Sequence, residues 1–404
     1  MFKKWYNLIS WAFYDFANSP YSTIMTTLIF PIFFMEKIVS GKWALLYWAL
    51  LYGGSEILSA ILSPPLGAMS DILGRKKRFL TLFALFAVIG TYLSSTLSEG
   101  DVVKAVIFFS ISQIGFSLSN VFYNSLLYKI SDYKNRESVS GFGWGMGYIG
   151  GMLFMVLVLF VLNMKSTSFE KETIVLNSLW YLLFSIPVFF FIEEKSQTTG
   201  KLLFKESYKE VLTTLRTIKN HKNLLYFMIS AFFFNDAVNS AILFGGIFLK
   251  KGFSFDFEKL FVSFILFNLI AALGAFILGP VADKITSRKT LFLMIFLWCF
   301  AIILIYFAKS AFVLLLLASL VGILIGSTQS VLRGYLSKLA PLESQGEWFG
   351  FYSLMGKAAS LIGPLLFGLI YGSTNNIKLS SFSLLPLFLL AGYFLNKVEK
   401  NENP

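Results

Sequence analysis

Asp15, Asn18, Ser19 and Ser22 fall at i, i+3, i+4 and i+7, so on a helix they share one polar face. A half-chain later Asp236, Asn239 and Ser240 repeat the first three of those positions with the same chemistry. Both sets sit inside apolar runs long enough to cross a bilayer. A carboxylate at that depth costs roughly 2.5–3.5 kcal/mol, and such groups face a bundle interior or a wet cavity. There they can bind a proton, pair with a cation or hydrogen-bond a polar solute.

Two more charges share that depth. At 1.5 Å per residue Asp15 is about 16 Å beyond Lys4, and Lys357 is about 15 Å beyond Glu347. Glu56 and Asp236 each lie about 21 Å from the nearest flanking Lys. All four therefore belong near the middle of a core about 30 Å thick. Lys357 is expected to pair with Asp236 or Glu56. A permanent pair would fix helix packing, whereas a pair made in one conformation only would couple proton binding to that conformation. Gln113, Asn120, Asn124, Asn235, Gln329 and Arg333 are further polar candidates for the same cavity. Arg333 suits bidentate recognition of a carboxylate, but it lies near the end of its apolar run, where anchoring or gating is an equal expectation.

The elements that must carry these residues follow from composition. Hydrophobic residues make up 56% of the 404 and charged residues 14%, against about 45–50% and 25% in soluble domains. With roughly 20 apolar residues per crossing, twelve spans can be drawn, the first at about 8–35 and the eleventh at about 347–371. The expected fold is all-α and integral to the membrane, with two pseudo-symmetric six-helix bundles. They would cover 1–192 and 223–404, joined by a cytoplasmic linker, 193–222, whose Phe204, Tyr208, Val211, Leu212, Leu215 and Ile218 predict a basic amphipathic helix. The net charge of +12 would suggest nucleic acid in a soluble protein. Here the Lys and Arg concentrate in alternate loops, which the positive-inside rule and anionic lipid explain. That asymmetry puts both termini in the cytoplasm of a multi-pass protein of the cell membrane.

Duplication supports the two halves. Leu66-Gly67-x-x-x-Asp71 recurs as Leu278-Gly279-x-x-x-Asp283, and Gly141-Phe142 with Gly147 recurs as Gly350-Phe351 with Gly356. In the first loop Gly67 permits close helix approach, Gly74 a tight turn, and Arg75-Lys76-Lys77-Arg78 pin the loop at the inner leaflet. Asp71 sits among those cations, where a charge pair can form and break. The second copy, Gly279-Pro-Val-Ala-Asp283-Lys284-Ile-Thr-Ser-Arg288-Lys289, lacks the turn glycine and carries an extra residue before Arg288.

This loop resembles the signature of the major facilitator superfamily, between spans two and three, with Ile72 in place of the usual base after the Asp. The resemblance implies twelve helices and a cytoplasmic gate at Gly67, Asp71, Gly74 and Arg75 and at Gly279, Asp283, Lys284 and Arg288. A narrower resemblance rests on three stretches: Trp11-Ala-Phe-Tyr-Asp15-Phe-Ala-Asn18-Ser19, Gln329-Ser330 through Arg333, and Phe349-Gly-Phe-Tyr-Ser-Leu-Met-Gly-Lys357-Ala-Ala-Ser-Leu-Ile-Gly-Pro364. These are similar to the vacuole effluxer (autophagy-related) family and its bacterial relatives. That resemblance implies secondary transport of a small polar solute by alternating access, with amino acids suggested by the fungal members and protons as a candidate coupling ion.

Other classes fit less well. No Gly-x-x-x-x-Gly-Lys-[Ser/Thr] loop is present, so no nucleotide is expected as energy source. The lone Cys299 and the lone His221 give no Cys- or His-based metal site and no nucleophile–base pair, so neither a cofactor nor an enzyme is expected. A transport-inactive sensor or assembly protein on the same scaffold remains an alternative, because function lives in the site and not in the fold.

Overall fold

The computed structural model describes residues 2–39, 44–162, 166–192, 194, 209, 211–214, 216, 221–253, 257–307, 311–359, 362–374 and 376–399. These residues are helical apart from turns, and no strand occurs among them. The long helices are α1 (Phe2–Tyr21), α3 (Ala44–Leu73), α4 (Lys76–Ser94), α5 (Val102–Ser125), α7 (Arg136–Val161) and α8 (Phe169–Phe191), followed by α9 (Lys222–Phe253), α10 (Phe257–Ile285), α11 (Ser287–Phe307), α12 (Ala311–Leu339), α13 (Gln345–Ala358), α14 (Ile362–Thr374) and α16 (Leu385–Asn396). Short α2 (Ile29–Phe33), α6 (Leu127–Ile130) and α15 (Ile377–Ser380) complete the set.

Ten of the described helical segments are long and apolar enough to cross a membrane. The first span and the 30-residue α3 bring the crossings to the expected twelve. The first span differs from the drawn 8–35. It begins at Phe2 and continues after Tyr21 through a π-helical turn, Ser22–Thr27, then α2 and a second π turn, Phe34–Ile38. The eleventh also differs: α13 ends at Ala358, Ala359 is in a turn and α14 starts at Ile362, with 360–361 outside the described residues. The amphipathic helix expected in the linker lies largely outside the described residues.

Local chemistry explains how the helices tolerate their breakers. Pro20 deprives the Phe16 carbonyl of its donor four residues on, and Trp180 Nε1 on α8 supplies one at 3.3 Å. In α3, Ser55, Ser59 and Ser63 fold their hydroxyls onto the carbonyls one turn back, at 2.8, 2.7 and 2.6 Å. This hides a serine stripe inside the helix's own hydrogen bonding.

The chain forms two compact units. Unit 1 holds Met1–Ile130, Met146–Val211 and Leu342–Phe351; unit 2 holds Ser131–Gly145, Leu212–Pro341 and Tyr352–Pro404. Within unit 1, α1 lies along α8, with Phe16 stacked on Trp180 at 5.2 Å. Within unit 2, Trp298 on α11 stacks on Phe388 of α16 at 5.2 Å.

Candidate functional site

Unit 1 carries Asp15 almost fully buried. Its Oδ2 accepts the Tyr123 hydroxyl of α5 at 2.7 Å, and Trp11, one turn earlier, stacks on that tyrosine at 4.5 Å. Trp11 Nε1 also donates to the Tyr123 carbonyl at 3.1 Å. A hydrogen bond to a charged group contributes about 1.5–3 kcal/mol, enough to offset most of the roughly 2.5–3.5 kcal/mol that burial in lipid costs a carboxylate. Asn18 Nδ2 donates to Asn120 Oδ1 at 3.1 Å. Ser19 turns back on the Asp15 carbonyl at 2.8 Å. Asn124 is half-buried on α5, one residue beyond Tyr123.

Glu56 is half-buried. Its Oε1 accepts Gln113 Nε2 at 2.7 Å and Ser117 Oγ at 2.8 Å, both from α5. Two neutral donors on one carboxylate oxygen stabilise the ion by an amount comparable to its cost in lipid.

Unit 2 carries the matching carboxylate. Asp236 is fully buried, and both of its oxygens accept the Gly363 N–H, at 3.1 and 3.0 Å. Gly363 is the second residue of α14, so Asp236 sits at the positive end of a half-helix. Close by, Asn235 Nδ2 donates to the Tyr352 hydroxyl at 3.0 Å and Gln329 Nε2 to Asn235 Oδ1 at 3.1 Å. Ser240 bonds the Asp236 carbonyl at 2.6 Å, while Asn239 and Lys357 are half-buried. Arg333 is buried, with Nε on Ser140 Oγ at 2.8 Å and an Nη on the Ser140 carbonyl at 2.6 Å. Its guanidinium lies 5.3 Å from the Trp144 ring centre. Arg333, for which a carboxylate clamp and an anchor or gate were equal expectations, is thus engaged on the first turns of α7.

The two signature loops form similar constructions, one in each unit. In unit 1, Asp71 accepts the backbone N–H groups of Gly346 and Glu347 at 3.1 and 2.8 Å, capping α13, and pairs with buried Lys76 at 2.5 Å. Gly67 makes this approach possible, because a Cβ there would land on the Gly346 carbonyl. Lys76 also lies over the Tyr128 ring at 4.7 Å, and both oxygens of Glu194 accept the Lys77 N–H, at 3.1 and 3.0 Å.

In unit 2, Asp283 caps α7 through the N–H groups of Glu137 and Ser138, at 3.3 and 2.7 Å, and takes the Ser138 hydroxyl at 2.5 Å. Gly279 again allows contact, facing the Glu137 carbonyl. The cation differs. Lys338, at the end of α12, reaches Asp283 at 3.2 Å and also bridges to buried Glu137, which accepts the Ser287 hydroxyl as well.

The remaining gate residues are placed as follows. Gly74 has φ +59° and ends α3, its N–H bonding the Asp71 carbonyl at 3.1 Å. Arg75 is half-buried at the start of α4, with Lys76 making the pair to Asp71. Lys284 is exposed. Arg288 closes the end of α16, on the Leu395 carbonyl at 3.2 Å and on the carbonyl and side chain of Asn396 at 3.0 Å.

Sequence reading placed Lys76 among the cations around Asp71 without singling it out as the partner, and missed Glu137, Ser138, Lys338 and Gly346 as members of these loops. Their signal was present: an acidic residue opens both capped helices, as Arg136-Glu137 and Gly346-Glu347. A cavity of about 370 Å³ also opens in unit 1, beside Phe33, Glu36, Lys37, Glu99 and Lys171. It is lined by none of the intramembrane carboxylates.

Comparison with known proteins bears on the family and the fold. The family profile described as "Vacuole effluxer Atg22 like" matches residues 47–402. An uncharacterized MFS-type transporter, YxiO of Bacillus subtilis, is 28% identical over 398 residues, covering 94% of this chain and 92% of its own. Autophagy-related protein 22 of Saccharomyces cerevisiae is 22% identical over 400 residues, covering 85% and 76%. Among solved structures, the proton:xylose symporter XylE superposes with a TM-score of 0.72 at 15% identity, covering 98% of this chain and 95% of its own. The human organic anion transporter MFSD10 gives 0.73 at 16% identity, covering 97% and 98%. With the major facilitator fold and a family match over most of its length, this chain belongs to the vacuole effluxer Atg22-like family of multi-pass membrane transporters.

Proposed function

We propose that the chain is a secondary active transporter moving a small polar solute by alternating access coupled to protons, with amino acids as the first substrates to test. It would act in the cell membrane with both termini in the cytoplasm. One observation carries the reading: a fully buried carboxylate, Asp236, held at the N-terminus of a half-helix where a spanning segment is broken. Discontinuous helices whose ends face ionisable groups are a recurring construction at transporter binding sites. A proton on Asp236 removes the charge that the end of α14 attracts, so proton binding and the geometry of the eleventh span become linked.

Asp15, Asn18, Ser19 and Asn124 in one unit, and Asp236, Asn239, Ser240, Gln329 and Lys357 in the other, are the solute-facing candidates. Arg333 is assigned to anchoring, supported by its bonds to Ser140. The Asp71 and Asp283 caps are assigned to a cytoplasmic gate that breaks and re-forms during the cycle. The moving bodies would be 1–192 and 223–404, linked by 193–222.

The test is solute flux into proteoliposomes with and without an imposed proton gradient, beginning with amino acids. Uptake that responds to the gradient and is lost in Asp236→Asn supports the reading. Solute binding without flux would replace it with a sensor on the same scaffold.

A further inference from the structure

Hydrogen bonds connect Glu56 to the first span through a single amide. Gln113 Nε2 donates to Glu56 Oε1 at 2.7 Å, and the other end of the same side chain, Oε1, accepts the Tyr21 hydroxyl at 3.0 Å. That hydroxyl also lies 2.9 Å from Ser112 Oγ, which is 2.8 Å from Thr91 Oγ1. Tyr21 is the last residue of α1 before the π turn Ser22–Thr27. It is fully buried and stacked on Phe116 at 4.3 Å, so its hydroxyl is tightly placed.

The two ends of an amide are chemically distinct. A carboxylate only accepts hydrogen bonds, so ionised Glu56 requires the NH2 end of Gln113. A carboxylic acid has a proton to donate, and the carbonyl end of Gln113 can receive it. Turning the amide over then presents NH2 to the Tyr21 oxygen, and the Tyr21 hydroxyl turns to donate to Ser112 Oγ, whose own hydrogen can go to the Ala87 carbonyl at 3.2 Å. Glu56, Gln113, Tyr21 and Ser112 thus each keep a partner along this row in both arrangements. The reversal ends at a π turn, an irregularity frequently found at functional sites.

We propose that Gln113 is a positioning residue that transmits the charge state of Glu56 to the π turn of the first span by reversing its amide, which makes Glu56 the proton carrier of unit 1. The proton comes from one aqueous phase, bonds to the Glu56 carboxylate, and leaves to the other. Tyr21 on α1, and Tyr52 one turn earlier on α3 itself, are titratable groups near Glu56. From α5 it meets the neutral Gln113 and Ser117. The proposal rests on the proton-coupled reading above and locates one of its carriers.

The experiment uses the full chain in lipid vesicles, with Cys299→Ala and Thr27→Cys as the parent. Thr27 is an exposed residue of the π turn. Its modification rate by a small methanethiosulfonate, corrected at each pH for the fraction of thiolate, the reacting species, is followed from mildly acid to mildly alkaline pH. The parent rate is expected to change roughly fivefold or more, and to become flat in Glu56→Gln, Gln113→Leu and Tyr21→Phe. Ser117→Ala keeps the amide link and should keep the pH dependence. Infrared spectra of the same samples should show the protonated carboxylic acid band disappearing in Glu56→Gln and persisting in Gln113→Leu.

A flat parent rate, or a pH dependence that survives both Gln113→Leu and Tyr21→Phe, would overturn the proposal. If Gln113→Leu does not fold, Tyr21→Phe alone decides, since it removes one hydroxyl. Flux that ignores the proton gradient while Thr27→Cys still responds through Gln113 would remove the coupled-transport reading and leave this link standing. Gradient-driven flux with labelling insensitive to Gln113 would do the reverse.

Discussion

Asp236 accepts the Gly363 N–H with both carboxylate oxygens, at 3.1 and 3.0 Å, and so caps α14 from a neighbouring spanning helix. The charge of the cap matters as well as its shape. An anion at a helix N-terminus contributes up to about 2 kcal/mol in partly buried geometry, while a neutral cap keeps only the hydrogen bond. Asp236→Asn is therefore expected to fold, to lose about 1–2 kcal/mol of stability, and to abolish the response of flux to a proton gradient. Thermal unfolding in detergent and flux in vesicles check the two halves of this expectation. Unchanged gradient dependence in the Asn variant would assign Asp236 to packing alone.

The two capped loops differ in how their carboxylates are compensated, and this asymmetry is testable. Asp71 has its own cation in Lys76, whereas Asp283 and Glu137 share Lys338. Removing one partner of a buried pair costs about 3–5 kcal/mol, because the remaining charge is left uncompensated. Lys338→Met should fall in that range, since it strands two carboxylates. Adding Glu137→Gln to it should recover a substantial part of the loss. In a double-mutant cycle the interaction energy of Lys338 with Glu137 should exceed about 0.5 kcal/mol, measured as shifts in unfolding. Strict additivity would mean that the bridge contributes nothing.

Much of this was legible in the sequence, for physical reasons that also explain what was not. Apolar runs and the positions of Lys and Arg read directly, because lipid forces each crossing to satisfy its own backbone. The polar faces at Asp15 and Asp236 read from helical spacing, and the structure buries both residues. Their partners did not read. Tyr123 and Gly363 are distant in sequence, and nothing in either residue marks it as the donor to a particular carboxylate.

The end of α13 at Ala358 did carry a signal that went unread: Pro364 has no N–H to give and suits the first turn of α14. The second loop lacks the turn glycine in its sequence, and the consequence is visible only in three dimensions. Thr286 has φ +128° at the corresponding turn, a conformation uncommon for a β-branched residue. Its hydroxyl faces the Lys289 N–H at 3.4 Å.

Gly67 and Gly54 lie on the same helix and make opposite predictions. A Cβ at Gly67 would meet the Gly346 carbonyl and the Glu347 backbone nitrogen, the groups through which Asp71 caps α13. Neither obstacle is the flexible end of a side chain, so the helices must separate and the cap must lengthen. At Gly54 nothing lies within 4 Å of the same added atom. Gly54→Ala should therefore gain roughly 0.5–1 kcal/mol from helix propensity and leave transport intact. Gly67→Ala gains the same propensity and should still be destabilised, since overpacking typically costs about 1–3 kcal/mol. The two variants separate helix propensity from close approach within one helix. If Gly67→Ala matched Gly54→Ala in both unfolding temperature and flux, the contact of α3 with α13 would carry no weight in the gate.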